Sequence, residues 1–105
     1  MKIIAVTSCP IGMAHTYMAG AALKKAAKRK KVEIRVETQG SMGIRDKITK
    51  KEIEEADVFI DAADVAMLEP KRFKEVLTYK TTTSKIIKKS DKVLEEAMAL
   101  VEQEA

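Results

Sequence analysis

The residues best suited to chemistry stand near the start of the chain. Cys9 and His15, the one cysteine and the one histidine among 105 residues, fall in Val6-Thr7-Ser8-Cys9-Pro10-Ile11-Gly12-Met13-Ala14-His15-Thr16. The apolar run Ile3-Ile4-Ala5-Val6 before them reads as a buried strand, and the alanine-rich stretch after them as a helix. A thiol delivered to a helix N-terminus meets unpaired N–H groups and a partial positive charge. Those groups bind phosphate and favour thiolate over thiol. A lone cysteine is commonly just a small buried hydrophobe. Here it sits in a turn between Ser8 and Pro10, with Gly12 following before the helix starts. Proline stiffens that turn and glycine lets the backbone approach a ligand closely. The chemistry to expect is a cysteine that handles phosphate.

The spacing adds detail. Cys9-x5-His15-Thr16 resembles the Cys-x5-Arg-Ser/Thr loop of cysteine-dependent phosphatases, in which successive N–H groups wrap a phosphoryl group. Pro10, Ile11, Gly12, Met13, Ala14, His15 and Thr16 are therefore the candidate phosphate loop. An arginine at the His15 position would grip the phosphoryl group bidentately and stabilise its transfer. Its absence argues against fast hydrolysis and suits a protein that holds a phosphocysteine and passes it on. His15 itself either touches the phosphoryl group or only caps and packs in the first helical turn. A second polar segment, Thr38, Gln39, Gly40, Ser41 and Gly43, reads as a glycine-punctuated loop; it is either a plain turn or part of a docking surface. Asp61 and Asp64 are strand-end and turn residues that can double as a general acid.

The elements that must position these groups follow from pattern. Strands are expected over 2–7, 32–37 and 57–62, with a weaker fourth at Phe73–Tyr79 around Val76-Leu77. A helix from about Ala14 to Lys30 carries small residues on one face, and Gly20 inside it costs about 1 kcal/mol against alanine unless packing is close. Thr49 with Glu52 three residues on forms a capping box for a short helix ending near Glu55. Residues 64–71 read as a loop, and Ser90 as the cap of a last helix with Val93, Leu94, Ala97, Met98 and Val101 on its apolar stripe. This order implies an α/β three-layer sandwich, Rossmann-like, with four parallel strands in the order 2-1-3-4 and helices on both faces. In such sheets ligands bind beyond the carboxyl ends of the strands. Cys9, the Thr38–Gly43 segment and Asp64 all follow strands, so all are expected on that edge.

Composition sets bounds. The chain has the length of one domain, 1–105, and 46% hydrophobic residues argue against disorder. One cysteine excludes an internal disulfide, and one cysteine with one histidine is too few for a Cys/His zinc site, so no metal or cofactor is expected. The net charge of +4 is mild; its basic run, Lys24 to Lys31, lies at a helix end with no interleaved aromatic residue, against a nucleic-acid platform. No apolar run approaches the ~18 residues of a membrane span, so direct membrane insertion is not expected. A free thiol fits a reducing cytosol.

The residues resemble a known family, the cytoplasmic IIB component of the fructose-specific sugar phosphotransferase system. Three motifs carry the resemblance: Val6 to Thr16, then Val36-Glu37-Thr38-Gln39-Gly40-Ser41-Met42-Gly43, then Ile53 through Ala56-Asp57-Val58 to Ala63-Asp64. Arg72-Phe73 also matches the family's usual Arg-Phe before the fourth strand. The resemblance implies a transferase that accepts a phosphoryl group on Cys9 from a phosphohistidine of IIA. It passes that group to a fructose-type sugar held by the membrane component IIC, to which it is peripheral. It also implies that Pro10 to His15 wrap the phosphoryl group, largely through backbone N–H groups. Ile11 stands where the family usually has threonine, which removes one hydroxyl from the loop. Asp46 stands where asparagine is common, and beyond Phe73 the family's usual Gly-Lys is absent. Ile11 and Met13, beside the thiol, are candidates for contacts that keep a partner junction dry. Two other readings compete: a small cysteine-dependent phosphatase, and a non-catalytic regulatory module whose thiol is idle.

Overall fold

The computed structural model describes residues 1–104. Its elements are β1 (Lys2–Ser8), α1 (Met13–Lys30), β2 (Glu33–Gly40), β3 (Gly43–Arg45), α2 (Lys50–Glu55), β4 (Val58–Ala63), a 3₁₀ turn (Pro70–Phe73), β5 (Thr78–Lys80) and α3 (Thr83–Glu104). The sheet order is β3-β2-β1-β4-β5. β1 is parallel to both β2 and β4, and β4 to β5, which gives the four parallel strands and the order expected from the sequence.

Alternation along β1 divides the core in two. Ile3 and Ala5 face Leu23 and Ala26 of α1 and Leu94 and Ala97 of α3; Ile4 and Val6 face Ile48, Phe73 and the partly buried Ile53 of α2. Phe59 of β4 stacks on Phe73 with ring centroids 4.1 Å apart, which seats the 3₁₀ turn on the second face. Small residues let α1 lie close to the sheet. A Cβ on Gly20 would stand 3.3 Å from Val36 Cγ1, so the glycine's intrinsic cost is offset by close packing. The basic end of α1 meets the acidic side of α3 through Arg29–Asp91 at 2.9 Å and Lys30–Glu95 at 2.7 Å. Exposed pairs of this kind contribute about 0–1 kcal/mol each, and they engage Arg29 and Lys30 of the basic run.

Three expectations are corrected. The Thr38–Gly43 segment is not a free loop: β2 runs to Gly40, Ser41 and Met42 turn, and β3 returns antiparallel as a fifth strand. Gly43, at φ 97°, supplies the positive φ that the hairpin needs. A three-residue strand is too short to show a period. The fourth parallel strand is Thr78–Lys80, not Phe73–Tyr79, because Phe73 is drawn into the 3₁₀ turn by its stack on Phe59. The last helix starts at Thr83, seven residues before Ser90, with the Thr82 hydroxyl accepting from Lys85 N–H at 3.1 Å. Its backbone leaves helical geometry at Lys89 (φ −142°, ψ 53°), where two helical segments join, so the second segment begins beside Ser90 as expected and the unexpected part is the segment from Thr83. The capping box at Thr49 and Glu52 is formed as expected.

Candidate functional site

β1 is the central strand, and its neighbours β2 and β4 are reached by crossovers on opposite faces. Its carboxyl end is therefore the topological switch point, where such sheets hold ligands. Cys9 follows directly and is half-buried. Thr7 Oγ1 donates to the Thr16 carbonyl at 3.2 Å, and Thr16 Oγ1 donates to the Gly12 carbonyl at 3.4 Å. These bonds pin the first turn of α1 to the strand that delivers the thiol. Gly12 is the residue before α1, with φ 144° and ψ 174° and no side-chain cap. Only glycine adopts that conformation readily, and nothing lies within 4 Å of where its Cβ would stand. Gly12→Ala is thus expected to cost about 1–3 kcal/mol through backbone strain alone. Urea unfolding would read the loss, and an alanine variant as stable as the parent would contradict the strain. No acidic residue stands in the first turn of α1, so no carboxylate there competes for its free N–H groups.

The candidate residues divide by placement. Pro10, Ile11 and Ala14 are exposed, Gly12 and Met13 half-buried, and Thr16 fully buried with its hydroxyl turned inward. His15 lies against the thiol, Nδ1 3.1 Å from Cys9 Sγ. Asp64 docks beside it, its N–H donating to the Ser8 carbonyl at 2.8 Å. Asp61 is half-buried, and its carboxylate accepts from Ala63 N–H at 3.1 Å, a strand-end role. In the second segment Ser41 is exposed, whereas Thr38 and Gln39 are buried; Thr38 Oγ1 has no hydrogen-bond partner. Met13 reaches the hairpin, since a Cβ on Gly40 would overlap its Sδ. The most exposed large apolar side chains are Ile11, at 82%, and Met42, at 83%, and the cavity residues Val65 and Leu68 are exposed as well. A cavity of about 320 Å³ runs between Cys9, Gly12 and Met13 on one side, Gly40 and Ser41 on another, and Val65, Ala66 and Leu68 on the third.

That third wall is held by a buried network. Glu37, fully buried in the middle of β2, accepts from Arg72 Nη1 at 2.8 Å, Arg72 Nη2 at 2.9 Å, Gln39 Nε2 at 2.7 Å and Ile48 N–H at 3.0 Å. Gln39 clamps Leu68 by both backbone groups, accepting from its N–H at 2.8 Å and donating to its carbonyl at 3.1 Å. Burial pushes the Glu37 carboxyl up, and the bonds from Arg72, Gln39 and Ile48 outweigh it, so it titrates below the ordinary carboxylate range. Gln39 thus holds the third wall in place, and it also lines the cavity beside Cys9.

Sequence reasoning missed Thr83. It is fully buried, and its hydroxyl donates to Asp64 Oδ2 at 2.5 Å while standing 3.2 Å from His15 Nδ1. The signal available was a threonine-rich run, Thr81-Thr82-Thr83-Ser84, without the glutamate three residues on that would mark a capping box.

Fold and site define a class: a parallel α/β domain whose central strand presents a thiol, beside a histidine, at the N-terminus of a helix. Comparison with known proteins narrows it. The protein-family model described as "PTS system, Lactose/Cellobiose specific IIB subunit" matches residues 4–96. The fructose-like EIIB component 2 of the PTS in Escherichia coli K12 is 40% identical over 99% of this chain and 98% of its own length. The fructose-specific EIIABC component of Bacillus subtilis is 47% identical over 92% of this chain, which spans 15% of that larger protein. A solution structure of an enzyme IIB subunit of the PTS from E. coli K12 superposes with a TM-score of 0.89 at 35% identity, covering 98% of this chain and 95% of the other. The chain belongs to the IIB family of the phosphotransferase system, with fructose-type homologues along its full length.

Proposed function

We propose that the protein carries a phosphoryl group on Cys9, taking it from a phosphohistidine of a IIA component and giving it to a fructose-type sugar held by a membrane IIC component. The observation that carries this reading is the thiol itself, placed between β1 and the first turn of α1 in a chain of the IIB family. The sugar class follows the names of the relatives, fructose-like and fructose-specific, over the lactose/cellobiose wording of the family description. A IIC partner makes the domain peripheral to the membrane on its cytoplasmic side; no helix among the described residues is long and apolar enough to cross one.

Each transfer is an in-line displacement. In the first, the Cys9 thiolate attacks phosphorus, the S–P bond forms, the P–N bond breaks, and the electron pair leaves on the donor imidazole. In the second, a sugar oxygen attacks, the O–P bond forms, and the S–P bond breaks with its pair returning to Sγ. The sugar hydroxyl proton goes to a base supplied with the acceptor. The protein positions the groups and offers N–H donors to the equatorial oxygens, and covalent relay replaces one difficult step with two easier ones.

Two observations disfavour the phosphatase reading. The position that would hold a phosphate-gripping arginine is His15, turned onto Cys9, and the Asp64 carboxylate is bound by Thr83 rather than free as an acid. Incubation with an aryl phosphate ester tests this: no Cys9-dependent turnover is expected, and steady turnover would overturn the carrier reading. Ile11 and Met42 are exposed and adjoin in sequence the cavity residues Gly12 and Ser41. Replacing both with aspartate is expected to slow transfer from phosphorylated IIA about tenfold, by loss of apolar contact and repulsion of the incoming phosphate. Unchanged stopped-flow transfer rates would place docking elsewhere.

A further inference from the structure

Cys9, His15, Thr83 and Asp64 form a continuous chain of polar contacts drawn from the β1–α1 turn, the first turn of α1, the start of α3 and the end of β4. We infer that Asp64 and Thr83 are positioning residues that fix the tautomer of His15, so that its Nδ1 carries a proton aimed at Cys9 Sγ. The argument is one of donors and acceptors. An ionised carboxylate only accepts. Asp64 receives the Thr83 hydroxyl at 2.5 Å, and the Thr83 N–H faces its two oxygens at 3.4 and 3.3 Å. The hydroxyl has one proton, which stays on the Thr83 oxygen and points at Asp64. Toward His15 the Thr83 oxygen can then only accept, so the 3.2 Å contact with Nδ1 requires an N–H on the ring. Cys9 Sγ stands 3.1 Å from the same nitrogen. As a thiolate it too is an acceptor, and a single Nδ1–H lies between sulfur and hydroxyl. The opposite arrangement, a thiol S–H donating to a bare Nδ1, would set the ring lone pair against the oxygen of Thr83.

Thr83 has no freedom to reorient this network, being fully buried, and Asp64 is anchored to β1 through Ser8. The fixed tautomer matters most where sulfur receives an electron pair. When the S–P bond breaks, the pair stays on Sγ, and the Nδ1–H donates a hydrogen bond to the emerging thiolate without a proton being transferred. That consequence rests on the carrier reading of Cys9; the tautomer itself does not. This contact also gives His15 a role that does not need arginine's grip on the phosphoryl oxygens.

With one histidine in the chain, nitrogen-15 spectra of the imidazole report His15 alone. They are recorded on the unphosphorylated protein, with the pH raised until the ring is neutral. The parent and Thr83→Ser are expected to show the proton on Nδ1, whereas Thr83→Val and Asp64→Asn move population to Nε2–H, the form an unconstrained ring prefers. In parallel, Thr83→Val is expected to slow alkylation of Cys9 by iodoacetamide about tenfold, with Thr83→Ser restoring it. A parent ring protonated on Nε2, or an Nδ1–H form that persists in both Thr83→Val and Asp64→Asn, would overturn the proposal. Asp64 is exposed, so Asp64→Ala, which removes the acceptor outright, decides the matter by the same spectra if Thr83→Val does not fold. Failure of phosphoryl transfer with the tautomer result intact would count against the carrier reading alone.

Discussion

Arg72→Ala is expected to destabilise the protein by about 3–5 kcal/mol, the cost of leaving a buried charge without its partner. Glu37 is fully buried and receives both guanidinium N–H arms of Arg72. Removing the arginine leaves a carboxylate with only Gln39 and Ile48 N–H as donors. The guanidinium also lies 4.6 Å from the centroid of the Phe73 ring and donates to the carbonyls of Glu69 and Leu68. Its loss therefore loosens the segment that brings Val65, Ala66 and Leu68 over the thiol. A fall in the urea midpoint at unchanged slope measures the effect. A loss under about 1 kcal/mol would mean that Glu37 is solvated or protonated in the folded state.

The same network gives stability a definite pH dependence. The folded-state Glu37 carboxyl titrates below its unfolded value, so its contribution is fully present above about pH 4.3 and is lost as pH falls through the folded-state value. Glu37→Gln removes this titration and is expected to flatten the acid limb of stability against pH while lowering stability at neutrality. An acid limb of unchanged steepness would place the sensitive carboxylates elsewhere.

Cys9→Ala is expected to reduce phosphoryl transfer from IIA to sugar to background. Alanine cannot form the S–P bond on which both proposed steps depend. The fold should lose about 1 kcal/mol or less, because Cys9 is half-buried in a turn and its side chain contacts only His15 by a polar group. Retained transfer in Cys9→Ala would favour a regulatory or binding role with an idle thiol. Alanine is the informative choice over serine, whose hydroxyl is itself able to take a phosphoryl group.

Much of this was legible in the sequence, for physical reasons that differ between elements. β1, β2 and β4 are buried runs or clean alternations, and Thr49 with Glu52 is a local cap that needs no tertiary context. Cys9 and His15 fall in one motif and so at one turn, but the sequence left open whether His15 faces the site or only packs, and its contact with the thiol comes from the structure. Short or tertiary-dependent elements were not legible. β3 has three residues, and the pull of Phe59 on Phe73 displaces the last parallel strand toward Thr78. Glu37 ends an alternating run and Gln39 reads as a loop residue, yet both are buried, because Arg72 and Leu68 arrive from more than 25 residues away to pair with them. Thr83 escaped notice for the same reason: its partners, Asp64 and His15, are 19 and 68 residues distant.

The central claim is that Cys9 bears the phosphoryl group, and it is tested most directly by locating that group. The protein would be incubated with phosphoenolpyruvate, the general phosphotransfer proteins and a fructose-type IIA, then digested near neutral pH and mapped by mass spectrometry. A single phosphoryl adduct on the peptide containing Cys9, absent without IIA and absent in Cys9→Ala, is the expected result. An adduct on His15 in place of Cys9, or no adduct with any IIA, would contradict the account.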